Sequence, residues 1–174
     1  MRVWTRPVLA VAAVLPLVGA VGCSALGGEE GPPPAPKDGL ASVDPCKVLT
    51  PQAREPYGIP DAGEPVTDLP WQPSCMYQNR NFGVTVYKDT KFTVDALHGQ
   101  AQWAKWDPVN LNGRPGVTAV NSGETKSRLC ETMFDSGRGR ISIQFHMNHP
   151  GDESYCEKSQ EIAKQIAPAM PPKQ

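Results

Sequence analysis

The sequence predicts an α+β fold: an antiparallel β-sheet of about five or six strands, with helices packed against it and two disulfides. Three observations predict it. Runs of alternating apolar and polar residues recur between residues 75 and 147, and an amphipathic stripe follows them. Four cysteines, Cys46, Cys75, Cys130 and Cys156, are spread across the same span. The 19 Pro and 16 Gly among 174 residues argue against an all-helical chain, while 39% apolar residues suffice for one modest core.

The first 22 residues read as a signal peptide, with Arg2 and Arg6 near the start and an uncharged apolar run from Pro7 to Val21. That run is shorter than the roughly 20 residues a lasting transmembrane helix needs, and Pro16 interrupts it. Ala20, Val21, Gly22 and Cys23 resemble the lipobox of bacterial lipoproteins, in which the cysteine thiol receives diacylglycerol before cleavage. The other reading is an ordinary secreted protein with Cys23 in a disulfide, but it leaves an odd number among five cysteines. With Cys23 lipidated, four remain in an oxidising compartment, an even set suited to two bridges. The expected address is the outer face of the bacterial cytoplasmic membrane, held by the N-terminal lipid.

Residues 23–43 contain Pro32, Pro33, Pro34 and Pro36 among glycines, a composition expected to stay extended as a tether. A single domain is expected over 44–168, with 169–174 a C-terminal tail. Asp44 before Pro45, and Thr50 before Pro51, each read as an N-cap followed by proline at the first helical position, so two helical turns are expected, Pro45 to Leu49 and Pro51 to Glu55. Pro56 and Gly58 stop the second. The stretch from Ile59 to Ser74, with four prolines, reads as loop. Cys75 to Gln78 and Phe82 to Lys88 form a hairpin, and Lys91 to Lys105 reads as a helix through Val94, Leu97, Ala101 and Ala104. Trp106 to Leu111 and Val117 to Asn121 are strands joined through Asn112, Gly113 and Pro115. Arg128 to Phe134 and Arg140 to Met147 form the clearest hairpin. In its second strand Ile141, Ile143 and Phe145 are expected inside, Ser142 and Gln144 outside. Asp152 to Ala167 closes the domain as an amphipathic helix ended by Pro168.

Four cysteines allow three pairings, and spacing does not choose between them. Neighbour pairing, Cys46 with Cys75 and Cys130 with Cys156, is the expectation, since it would staple helix to sheet twice. The lipobox Cys23, the Pro-rich tether, Asp44-Pro45-Cys46, Leu49-Thr50-Pro51, Ser74-Cys75-Met76-Tyr77, a cysteine in a mid-chain strand and one in the closing helix together resemble the actinobacterial lipoprotein family called domain of unknown function 3558. The resemblance implies this topology and address, and no reaction.

The balance of 17 basic against 18 acidic residues argues against nucleic acid as a partner and against a polybasic grip on lipid. His146 and His149, near Asp152 and Glu153, are weak candidates for a metal. Their placement in a turn and at a helix start favours a polar loop and a cap, and no cofactor is expected. Every cysteine is assigned to lipid or bridge, and no Gly-x-Ser-x-Gly elbow occurs, so catalysis is not expected. The candidate binding surface is aromatic: Trp71, Trp103, Trp106, Tyr57 and Tyr87. A non-catalytic module binding an envelope protein or glycan is the first expectation, and a metal-dependent surface hydrolase the alternative.

Overall fold

Side-chain caps start the short helical turns near the beginning of the folded part. In the computed structural model, which describes residues 39–122, 129–148 and 154–174, Asp44 Oδ1 accepts from Cys46 N at 3.0 Å and caps a 3-10 turn, Pro45–Lys47. Thr50 Oγ1 accepts from Ala53 N at 3.4 Å and caps α1, Pro51–Arg54. A 3-10 turn, Glu55–Tyr57, carries the chain on until Gly58, at φ 63°, ends it.

Seven antiparallel strands follow: β1 Glu64–Val66, β2 Ser74–Gln78, β3 Phe82–Asp89, β4 Trp103–Leu111, β5 Arg114–Asn121, β6 Leu129–Ser136 and β7 Gly139–Met147. They form one sheet in the order β1-β2-β3-β7-β6-β5-β4. The count corrects the expected five or six. The added strand is β1, within the stretch read as loop, where Val66 pairs with Ser74 and Glu64 with Met76. Pro65 is tolerated there because an edge strand can spare an N–H.

The helix expected from Lys91 to Lys105 is absent. Asp89 Oδ1 accepts from Lys91 N at 2.8 Å and Phe92 N at 2.9 Å, turning the chain away from β3. Only Asp95–Leu97 makes a 3-10 turn, Gly99 takes φ 79°, and Trp103 already pairs with Asn121 in the sheet. Val94 and Leu97 are buried, but by a crossing segment, so helical spacing misled about conformation and not about burial.

All described residues belong to one unit, Gly31–Gln174. The last helix, α2 (Tyr155–Ile166), lies on one face of the sheet. There Ile162 and Ile166 meet Val84, Val86, Phe134, Ile141, Ile143 and Phe145 in the main core. Two disulfides fasten this layer. Cys46–Cys75 joins the Pro45–Lys47 turn to β2 across a separation of 29 residues, and Cys130–Cys156 joins β6 to α2 across 26. Beside the second, the hydroxyls of Thr132 and Ser159 hydrogen-bond between β6 and α2.

Both ends of the folded part reach beyond 44–168. Leu40 and Val43, read as tether, are buried, and so is Met170. Gln174 N donates to Gly137 O at 2.8 Å, and Gly137 N to Pro172 O at 2.9 Å, so the C-terminal residues extend the β6–β7 turn.

Candidate functional site

The face of the sheet opposite α2 carries an unusual set of side chains. The strand register places Met76, Thr85, Gln144, Glu131, Ala119 and Trp106 in one row across β2, β3, β7, β6, β5 and β4. Tyr87, Ser142 and Met133 form the next row, and Asp89, Arg140 and Asp135 a third. These positions alternate with the core residues because successive strand side chains point to opposite faces.

A polar chain runs through the middle. The Asp89 carboxylate is 2.9 Å from Arg140 Nη1, with side-chain exposures of 1% and 7%. Arg140 Nε donates to Ser142 Oγ at 3.3 Å, and the Ser142 hydroxyl hydrogen-bonds the Glu131 carboxyl. Tyr87 Oη donates to Gln144 Oε1 at 3.2 Å. Burial pushes the Glu131 carboxyl above the ordinary carboxylate range, against the opposing pull of Ser142 and Arg140. Burial likewise raises the Tyr87 phenol, helped by the Glu131 charge. The arrangement can present the Tyr87 hydroxyl, the Gln144 amide and the Glu131 carboxyl to a ligand, with Asp89, Arg140 and Ser142 buried behind them.

A raised carboxyl gives a testable sign. The folded state holds the Glu131 proton more tightly than the unfolded chain, so its stabilising contribution is complete below the ordinary carboxylate range. It is lost as pH rises through the folded value. Glu131→Gln should therefore match the wild type at the acid end and become the more stable protein as pH climbs to neutral. Paired thermal melts across pH check this, and a variant less stable at neutral pH would contradict it.

At the β4 side of the same face, Trp103 and Trp106 lie with ring centres 5.6 Å apart and pack on Val94, Leu97, Val117, Ala119 and Met133. Trp103 Nε1 donates to Leu97 O at 3.1 Å, and the His98 ring is 5.4 Å from Trp106. Both indoles are partly buried, so they close a second small core.

A family model described as Protein of unknown function (DUF3558) matches residues 18–169. The chain belongs to this family. The matched span holds the whole sheet, α2 and both disulfides of this DUF3558 member. No curated protein and no solved structure matches the chain.

The five aromatic residues singled out from the sequence do not form one surface in the DUF3558 fold. Tyr57 lies on the opposite side, where its hydroxyl is 2.5 Å from Glu161 of α2, and its phenol is raised to about 12 by burial and that carboxylate. Tyr87 and Trp106 share the face described above. Trp71 stands in a loop at one end of the sheet, under Lys91. His146 is also on the second face, packed so closely over Gly83 that a Cβ there would lie 2.1 Å from its Cε1. Burial lowers its pKa, which favours the neutral imidazole. His149, Asp152, Glu153 and Cys23 lie outside the described residues. Among the described residues no three His, Cys, Asp or Glu side chains converge in a way that could hold a metal, and no helix is long and apolar enough to cross a membrane.

Ser142, expected outside, is fully buried, and Gln144 is half-buried. The reason is position: β7 is the middle strand of seven, so β3 and β6 side chains crowd its second face as well as its first. Sequence reasoning passed over Glu131, Gln144, Ser142 and Arg140. A signal was available, because a carboxylate flanked by Cys130 and Thr132 inside a strand of the clearest hairpin is a charge where a core strand avoids one.

Proposed function

We propose that this DUF3558 member is a non-catalytic binding module, tethered to the outer face of a bacterial membrane through diacylglycerol on Cys23, and that the sheet face bearing Tyr87, Gln144 and Glu131 holds its partner. The observation that carries the reading is one-sided layering. Both α-helices of the described residues pack against the other face, while on this one the crossing segment through Val94 and Leu97 covers the Val117 and Met133 side and a row of hydrogen-bonding side chains remains in mid-sheet. Hydrogen-bonding side chains beside an indole suit an envelope glycan or protein. The lipobox-like Cys23 and the even set of remaining cysteines support the address.

Two measurements test it. A photoreactive residue placed at Gln144 should capture envelope material in intact cells, while one at exposed Gln165 on α2 should not; equal capture would sink the assignment of the face. Labelled palmitate should enter the wild type and be absent from Cys23→Ala, and equal labelling would remove the anchor.

A further inference from the structure

Three large apolar side chains are exposed among the described residues, Leu69 at 41%, Trp71 at 38% and Phe92 at 39%. Trp71 and Phe92 come from different segments, yet Lys91 Nζ stands over both rings, 4.9 Å from one centre and 5.2 Å from the other. Leu69 is carried in the turn that holds Trp71, which Gln72 N closes by donating to Leu69 O at 2.9 Å. The backbone behind these side chains is held firmly. Thr90 N donates to Trp71 O at 2.9 Å, Gln72 Nε2 to Asp89 Oδ2 at 3.1 Å, and Arg140 Nη1 to Phe92 O at 3.3 Å. An apolar cluster held outward on a braced frame marks a contact surface.

Its place in the fold says what it contacts. Asp89 pairs with Arg140 at the turn end of the β6–β7 hairpin, so Trp71 and Phe92 belong to that end of the sheet. The chain enters the domain at the same end. Lys88 Nζ donates to Ala41 O at 3.0 Å, and Leu40 Cβ lies 3.0 Å from where a side chain on Gly137 would begin. A segment with the composition of residues 23–39 has a maximum reach of about 50 Å at about 3.1 Å per residue, so a lipid on Cys23 would keep this pole near the bilayer. The chemistry fits that neighbour. An indole, a phenyl ring and a leucine suit the depth of the headgroups, and an ammonium above them reaches phosphate oxygens. Exposed Arg138, at the tip of the β6–β7 turn, adds a second cation.

We infer that the pole formed by Leu69, Trp71, Lys91 and Phe92 docks on the lipid bilayer surface, orienting the domain with the β6–β7 turn toward the membrane. The inference rests on the lipid anchor proposed above, since so small a patch binds a bilayer durably only when a tether raises its local concentration.

The test uses the exported full chain with vesicles of equal parts phosphatidylcholine and phosphatidylglycerol carrying brominated acyl chains, which quench nearby tryptophan. Emission should be quenched, the quenched part should vanish in Trp71→Phe, and Phe92→Ser should weaken it by about threefold or more. Melting temperatures within a few degrees of the wild type show that both variants are folded. Flotation with the vesicles is read in parallel. Flotation without Trp71 quenching overturns docking and leaves the anchor standing; neither signal overturns both. Quenching by Trp71 without flotation removes the anchor, reduces the contact to a transient one and overturns the inference. Trp71 emission that shifts to the blue without lipid, in step with self-association, would give the patch to a second copy and overturn the inference.

Discussion

Asp89→Ala is expected to remove about 3–5 kcal/mol of stability, the range for breaking a buried ion pair from one side. Arg140 would keep its charge at 7% side-chain exposure with its carboxylate gone. The loss spreads further, because Asp89 also accepts from Lys91 N, Phe92 N and Gln72 Nε2, which together start the crossing segment and brace the Trp71 loop. Asp89→Asn keeps an acceptor for those N–H groups and should fall between the two. Replacing the pair together with apolar residues, as Asp89→Leu with Arg140→Met, should recover part of the loss and not all of it, since no apolar side chain replaces the turn-forming acceptor. Urea unfolding at neutral pH measures each difference. A single-variant loss below about 1 kcal/mol would show that water reaches the Arg140 guanidinium, and that the pair is not closed off by the fold.

The second large effect belongs to the bridge between β6 and α2. Removing Cys130–Cys156 as a double alanine variant is expected to cost about 3–4 kcal/mol, from freeing a loop of 26 residues in the unfolded chain. For a domain whose whole stability is of the order of 5–15 kcal/mol, the melting temperature should fall by about 10 °C or more. The loss should also have an address. Once unstapled, α2 retains Ile162 and Ile166 in the core and the Thr132–Ser159 hydrogen bond, so it should stay docked but exchange its amide protons faster than β3 and β7 do. Calorimetry with hydrogen exchange checks both parts. Uniform acceleration across the sheet would mean that the helix and sheet unfold only together.

The two predictions concern opposite faces of one sheet, and the faces were unequally visible beforehand. Ile141, Ile143 and Phe145 alternate cleanly, and their burial follows from period alone. Asp44 and Thr50 announced their caps because each stands before a proline that cannot serve a helix interior. The second face gave a fainter clue, the carboxylate of Glu131 between Cys130 and Thr132. Glu131, Ser142 and Arg140 look like the solvent half of an alternating pattern, and only the strand order, which sets β7 between β3 and β6, buries Ser142 and Arg140 and partly covers Glu131. The segment from Lys91 to Lys105 failed for a related reason. Its apolar spacing suits a helix, but Asp89 captures the first two N–H groups and β5 takes the last residues as a strand partner. Tertiary bonds outweigh a weak local preference interrupted by Gly99.

The amino-acid sequence by itself determined the family, the antiparallel hairpins, the capped turns, the closing helix and the even set of four cysteines. All of these are written in local periods, in single residues with special backbone chemistry, and in counts. Tertiary structure alone decided the strand order, the seventh strand, the irregular crossing over the second face, the linked Asp89, Arg140, Ser142 and Glu131 groups, and the gathering of Trp71 and Phe92 at one pole. Those depend on which distant segments become neighbours, and a linear pattern carries no distance across the sheet.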